Sequence, residues 1–366
     1  MNLCGIIVEY NPFHNGHMLH INKAKELSRA DGTIAVMSGN FCQRGDFSVI
    51  DKFAKAEIAI NHGVDLVVEL PYLYATQNAS KFAYGAINVL KACHINHLVF
   101  GSETNDIEIL KDIASTEINP DHLKEIMKQG NSYPKAYSIL SGEFMPNDIL
   151  AISYLKELRG TNINPICIPR TNAYHSKELS EIASATSIRQ AIINKQDYSM
   201  ATDINVEHPI FIKDAFPYLR RILMTTSRED LSAINLVSEG IEKVLIKNAF
   251  LYNDYDDFIN ASTSRRYTKA RIQRILLQIL IQIKKSDVKD IDCLNYVRVL
   301  AFNDKGLEII KYLQTKGTNI ITQFKQLPDN YRQIEYRASV LYASFFDEKR
   351  SQYLIKRELQ GPYIKK

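Results

Sequence analysis

The chain has 366 residues, 45% hydrophobic and 23% charged, which excludes a peptide, a disulfide-stapled scaffold and a disordered tail and leaves room for two domains at roughly 150 residues each. Five cysteines, Cys4, Cys42, Cys93, Cys167 and Cys293, form no Cys-x-x-Cys pair, so neither a zinc ribbon nor a disulfide framework is expected. The net charge of +4 is unevenly spread: 18 Lys and Arg face 21 Asp and Glu in residues 1–200, against 27 and 20 in residues 201–366.

The first element is a β-branched run, Leu3–Tyr10, which lacks the basic flank and long apolar stretch of a signal peptide. No apolar run reaches membrane-spanning length, and a cytoplasmic protein is expected. Gly32–Met37, Val64–Leu70 and His97–Phe100 are further short strands. Between them His17–Arg29, Lys52–Asn61 and Ala79–Cys93 repeat apolar residues at helical spacing. Asn164–Ile168 and Ser187–Asn194 add one more strand and helix. This alternation predicts a doubly wound α/β fold with a parallel sheet, in which ligands bind at the carboxyl ends of the strands. The polar stretch Gln196–Pro209 is the expected boundary. Beyond it the pattern is helical over Lys213–Thr225, Leu231–Ala249, Tyr255–Ala261, Thr268–Lys285 and Asp304–Thr315, which predicts a mainly α-helical domain over residues 201–366 after an α/β domain over residues 1–200.

The most informative stretch follows the first strand: Glu9-Tyr10-Asn11-Pro12-Phe13-His14-Asn15-Gly16-His17. A helix starting near Gly16 puts His14 and His17 on one face, where helix N–H groups and the macrodipole favour an anion. Gly16 removes a side chain that would hinder a phosphate or an adenine ring, and the imidazoles are placed to hydrogen-bond phosphate oxygens as charge develops. Capping and surface histidines are the plain reading of the pair. Zinc is disfavoured because no third and fourth ligand accompanies it.

Other polar residues fall at the same predicted sheet edge. Ser38 follows the second strand, Gly101 ends the fourth, Asn147 follows Pro146, and Arg170 follows the strand ending at Pro169. Thr186, Ser187 and Arg189 open a helix, either as a phosphate-binding N-terminus or as a plain cap. Lys52 and Arg44 are phosphate contacts or surface cations. Farther on, Arg265, Arg266, Lys269, Arg271 and Arg274 put five cations within ten residues, while Ile272, Leu276, Ile279 and Ile283 keep an apolar stripe. Such a helix has a solvated basic face or one that meets RNA phosphates, with Tyr267 available to stack on a base.

Taken together, GIIVEYNPFHNGH, Met37–Asp46, Asp65–Pro71, Phe100-Gly101-Ser102-Glu103, Pro146–Leu150, Arg170 with Tyr174 and His175, Ser184–Arg189, Arg265–Arg274 and Val297–Asn303 resemble the tRNA(Met) cytidine acetate ligase family of the HxGH nucleotidyltransferase superfamily. The likeness spans nearly the whole chain. It departs from the family pattern at Ala151-Ile152-Ser153-Tyr154, at Thr171-Asn172-Ala173 and at Asp46-Phe47, which puts local contacts in doubt more than the nucleotide site.

The resemblance implies a nucleotidyltransferase-like (Rossmann-like) domain that binds ATP through Ile7, Val8, Glu9, Tyr10, Asn11, Pro12, Phe13, His14, Asn15, Gly16, His17, Met18, Leu19, His20, Ser38, Gly101, Asn147, Arg170, Thr186 and Ser187. Of these His14, His17 and Arg170 are the implied catalytic residues, and Arg265, Arg266, Lys269, Arg271 and Arg274 the implied RNA contacts. The implied activity is an ATP-dependent ligase that forms acetyl-adenylate from acetate and acetylates the wobble cytidine of elongator tRNA(Met), with neither DNA nor membrane as a partner. Mg²⁺ commonly accompanies ATP, and no carboxylate cluster marks a dedicated metal site. Two other readings are a small-molecule adenylyltransferase of the coenzyme-biosynthesis type, which would not need the long basic C-terminal part, and a non-catalytic tRNA-binding protein, which would not need an intact His14-Asn15-Gly16-His17.

Overall fold

The computed structural model describes every residue except 117–118, 132–135, 137–138, 141, 143, 171–180, 290, 292–293 and 366. Cys293, the Thr171-Asn172-Ala173 departure, and Tyr174 with His175 therefore lie outside the described residues.

Strands β1 (Leu3–Val8), β2 (Gly32–Ser38), β3 (Leu66–Leu70), β4 (His97–Ser102) and β5 (Asn164–Pro169) form the predicted parallel sheet, in the order β5-β4-β1-β2-β3. All seven residues of β2 and all five of β3 are buried, as strands in a sheet covered on both faces are. β1 is shorter than its apolar run because Tyr10 turns into the left-handed region, with φ of 49°. Residues at β1 pair outward in both directions, Cys4 with Thr33 of β2 and with His97 of β4. The chain order thus reverses between β1 and β4, and the crevice at their carboxyl ends is the ligand position of a doubly wound sheet.

The helices after β1, β2, β3 and β5 follow the sequence closely, whereas Ile107–Ser115, Pro120–Lys128 and Pro146–Glu157 between β4 and β5 were not expected. Lys52–Asn61 coincides with its prediction, capped by Asp51, whose carboxylate accepts the N–H groups of Phe53 and Ala54. Ala79–Ala92 is capped by Asn78, and Ala185–Ile193 by Ser184. The expected helix over Leu231–Ala249 is instead two, Arg228–Ala233 and Ile241–Leu251, because Leu236, Glu239 and Gly240 adopt φ of 65°, 58° and 81°. The helix Lys269–Ile281 stops four residues early, at Gln282 in the left-handed region with φ of 59°.

After Pro209 the chain contributes strands as well as helices. β6 (Val297–Phe302), with every residue buried, runs antiparallel to β3 and sets Leu66 opposite Phe302. β7 (Ile320–Ile321) and β8 (Tyr363–Ile364) both pair with β6, completing an eight-stranded sheet. The helices Asp329–Ala343 and Glu348–Leu359 pack over this side. Among the described residues no helix is long and apolar enough to cross a membrane.

Candidate active site

β1 delivers the chain to the crevice, and the residues after it fold into a turn held by its own side chains. The amide of Asn11 donates to the Cys42 sulfur at 2.9 Å and its oxygen accepts the N–H of Val49 at 2.8 Å, so this side chain fastens the loop after β2. Asn15 likewise donates to the carbonyls of Glu181 at 2.8 Å and Met200 at 3.1 Å. Both amides of the expected nucleotide segment are thus spent on protein contacts, leaving its histidines and backbone to face a ligand.

His14 caps the helix Asn15–Ser28, and its Nδ1 accepts the Gly16 N–H at 3.1 Å. The Nδ1 of His17 accepts the His14 N–H at 3.3 Å, which brings the two rings to 3.8 Å between centroids. A backbone N–H can only donate, so both Nδ1 atoms are acceptors and each neutral ring carries its proton on Nε2. Burial holds the rings neutral, lowering His14 to about 4 and His17 well below its ordinary value, with the Arg170 cation pushing the same way. Two neutral Nε2–H donors of fixed tautomer result. His20, lowered to about 4 by burial, donates through Nε2 to the Val99 carbonyl of β4 at 3.2 Å.

The turn also corrects the reason for glycine at position 16. A Cβ there would lie 2.9 Å from His14 Cε1 and 3.0 Å from its Nδ1, so the nearest obstacle is the histidine ring itself. Gly16 makes the cap possible before any ligand arrives.

The opposite wall comes from β4, β5 and the helix Pro146–Glu157. A Cβ at Gly101 would stand 3.3 Å from Arg170 Cγ, so the glycine leaves room for the arginine stem. Arg170 Nη1 donates to the Asn147 side-chain oxygen at 2.5 Å. Its cation helps to lower the pKa of His14, His17 and His20. On a third side, Ser184 and Ser187 form a reciprocal cap, with the Ser184 hydroxyl accepting the Ser187 N–H at 3.1 Å and the Ser187 hydroxyl accepting the Ser184 N–H at 3.1 Å. Ser187 is therefore buried in the cap, while Thr186 is exposed and accepts from Arg189 at 3.2 Å. Arg189 also donates to the Asn11 carbonyl at 2.7 Å. Ser38 ends β2 fully buried, and its hydroxyl finds no partner among the described residues.

A family of HIGH nucleotidyl transferases matches residues 1–357 of this chain. A Staphylococcus aureus protein named tRNA(Met) cytidine acetate ligase is 38% identical over 362 aligned positions, covering 93% of this chain and 95% of that protein. The chain belongs to the tRNA(Met) cytidine acetate ligase family of the HIGH nucleotidyl transferases. Two crystal structures of TmcAL from Thermotoga maritima, one bound with alpha-thio ATP and one apo, superpose with TM-scores of 0.88 and 0.89 at 32% identity, over all of this chain and 100% and 99% of theirs.

Within this ligase-family chain the cations expected at the sheet edge divide. Lys52 is no phosphate contact: it is 1% exposed, and its ammonium lies 2.7 Å from both Glu69 and Glu358. Arg44 is exposed and within electrostatic reach of Glu9, Arg189 and Arg170. Lys55, which the sequence reading passed over, is fully buried and donates to the carbonyls of Glu9 at 2.8 Å, Ser38 at 2.9 Å and Gly39 at 2.8 Å. It uses all three of its donors to tie the ends of β1 and β2 together. A lysine three residues after Lys52, on a helix face that also buries Phe53, Ala56, Ala59 and Ile60, was the available signal.

The family's basic stretch is also divided. Arg265, Arg266 and Lys269 are exposed, with Arg266 paired to Glu239 at 2.7 Å and Lys269 3.9 Å from Asp256. Arg271 is half-buried, lies 4.0 Å over the Tyr267 ring and reaches Glu239 at 3.4 Å. Tyr267 is not free to stack on a base, being buried with one face under Arg271 and its hydroxyl bonded to the Ser238 carbonyl at 2.8 Å. Arg274, half-buried, turns toward the loop after β2 and donates to the Gln43 carbonyl at 3.2 Å.

Proposed function

We propose that this chain is an ATP-dependent tRNA(Met) cytidine acetate ligase. The observation that carries the reading is the pair of imidazoles held neutral with Nδ1 tied to backbone N–H groups, both under the influence of the Arg170 cation. Two fixed Nε2–H donors and one permanent cation suit a triphosphate whose charge shifts during nucleotidyl transfer.

In the first step an acetate oxygen attacks the α-phosphorus of ATP, the bond to the β-phosphate oxygen breaks, and pyrophosphate leaves with the electron pair. The product is acetyl-adenylate. His14 and His17 donate through Nε2 to phosphate oxygens, Arg170 offsets the negative charge, and Gly101 and Asn147 border the nucleotide. In the second step the exocyclic amine of the wobble cytidine attacks the acetyl carbonyl, loses a proton, and AMP departs. The RNA product carries N4-acetylcytidine. Residues 1–200 perform the ATP chemistry, and the basic stretch Arg265–Arg274 in residues 201–366 meets the RNA. The protein works in the cytoplasm, where ATP, acetate and tRNA are found.

Mg²⁺ accompanying ATP would be held chiefly by the phosphates, because carboxylates near the crevice are committed to protein donors: Glu9 accepts the Gln43 N–H at 2.7 Å, and Asp148 accepts from Ser102, Glu103 and Thr104. Among the described residues no three His, Cys, Asp or Glu side chains converge as a metal site.

The test is purified protein with ATP, labelled acetate and elongator tRNA(Met), following AMP, pyrophosphate and label on RNA. ATP-dependent labelling that disappears in His17→Ala is the expected result. AMP transfer to another acceptor would point to a small-molecule adenylyltransferase, and no ATP turnover at all to a binding protein.

A further inference from the structure

Beside the crevice stands a half-buried carboxylate, Glu103, that the two-step reaction above leaves without a role. One of its oxygens accepts the Asp148 N–H at 3.0 Å, and the other accepts the side-chain NH₂ of Asn147. The oxygen of that same amide accepts from Arg170 Nη1 at 2.5 Å. Glu103, Asn147 and Arg170 thus form a chain of carboxylate, amide and guanidinium along the wall.

The amide satisfies both neighbours in one orientation only. A flipped Asn147 would set its oxygen against the carboxylate and its NH₂ against the guanidinium, two repulsive contacts in place of two charge-assisted ones. Glu103 therefore selects the orientation that offers Arg170 an acceptor. Had Glu103 met Arg170 directly, the pair would cancel much of the cation's charge. An intervening neutral amide fixes the guanidinium through one of its five donors and leaves the charge for a phosphate.

Glu103 is itself held. Asp148, 2% exposed, accepts the Ser102 hydroxyl at 2.6 Å, the Glu103 N–H at 3.0 Å, the Thr104 N–H at 3.1 Å and the Thr104 hydroxyl at 2.7 Å. The loop after β4 is consequently rigid where Glu103 leaves it, and the carboxylate arrives at a set place relative to the start of the helix Pro146–Glu157.

We propose that Glu103 is a positioning residue for Arg170, acting through the Asn147 amide, so that the guanidinium is oriented before ATP binds. The inference rests on ATP being the ligand of this crevice. Its experiment measures ATP affinity by calorimetry for the unmodified protein, Glu103→Ala, Glu103→Gln, Arg170→Ala and the double variant Glu103→Ala with Arg170→Ala, with thermal unfolding of each. Loss of a charge-assisted contact predicts ATP affinity about tenfold weaker in Glu103→Ala. The double variant should bind no more weakly than Arg170→Ala alone, since Glu103 acts only through Arg170. Glu103→Gln, whose one oxygen can accept only one of the two bonds, carries the same comparison if the alanine variant does not fold. Additive losses overturn the proposal, as does a Glu103 variant that melts earlier yet binds ATP normally, which is the behaviour of a simple helix cap. If the unmodified protein binds no ATP, the ligase reading fails instead.

Discussion

Arg274 donates to the Gln43 carbonyl at 3.2 Å, and the N–H of Gln43 is donated in turn to the Glu9 carboxylate at 2.7 Å. A cation of the basic helix is thereby linked through one residue to the end of β1. The loop fits closely there: Gly45 has φ of +81°, and a Cβ at that position would collide with the backbone of Gln273 and Arg274. Burial lowers the Arg274 pKa to about 10, as expected for a guanidinium enclosed between two elements.

Arg274→Ala is therefore expected to act on ATP as well as on RNA. Freeing the Gln43 loop should raise KM for ATP in pyrophosphate exchange without tRNA, by about tenfold for one charge-assisted contact. Arg265→Ala with Lys269→Ala, both exposed, should leave that exchange unchanged and weaken tRNA binding with a shallower salt dependence. Equal ATP kinetics in all three proteins would break the link between the helix and the loop.

Gly16→Ala isolates the cap. The added Cβ must displace the His14 ring, which is 2.9 Å away, and the ring cannot retreat without losing the Gly16 N–H. A misplacement of about 1 Å in a catalytic group costs on the order of 10²-fold in rate, so adenylate formation should fall by that factor while tRNA binding persists. Wild-type exchange rates in Gly16→Ala would mean that the ring position is unimportant.

The histidines also set a pH dependence. His14 and His20 are lowered to about 4 and His17 well below the ordinary value near 6.5, so between about 4 and 6.5 the unfolded chain binds protons that the folded chain does not. Stability should be full above about pH 6.5 and decline as the pH falls toward 4. His20→Leu, which removes one such proton, should shrink the drop in Tm between pH 7 and pH 5. Parallel Tm profiles for the two proteins would rule out a buried neutral His20.

Much of this was legible in the sequence because it is local. β-branched runs and helical periodicity gave the five parallel strands and the helices after β1, β2 and β3, but not the helices Ile107–Ser115, Pro120–Lys128 and Pro146–Glu157 between β4 and β5, and not the order of the strands. Asn11, Pro12, Gly16 and the two histidines are neighbours in the chain, so their turn could be read directly. The fates of Lys52 and Arg274 were not legible. Their partners are Glu358, 306 residues away, and Gln43, 231 residues away, and no local pattern distinguishes a lysine facing phosphate from one facing a distant glutamate. The break in the predicted helix at residues 234–240 was hidden too, since only Gly240 among its three left-handed residues announces that conformation.

Lys52 supports the last prediction. Its ammonium and the Arg298 guanidinium meet Glu69 and Glu358 in the interior, at 2.7 Å from Lys52 to each and at 2.7 and 2.8 Å from Arg298. Two cations balance two carboxylates, and the four residues join the helix Lys52–Asn61, β3, β6 and the C-terminal helix Glu348–Leu359. A third carboxylate, Glu335, has no cation left over; burial and the nearby Glu69 raise its pKa, and it accepts the Tyr72 N–H at 2.7 Å. Lys52→Met strands one negative charge in this interior, at a cost of roughly 3–5 kcal/mol. Urea unfolding should show that loss, and Lys52→Met with Glu358→Gln, which restores neutrality, should recover part of it. The folded fraction of Lys52→Met should keep its KM for ATP. A variant of unchanged stability whose KM for ATP rises would instead make Lys52 a phosphate ligand and refute the buried quartet.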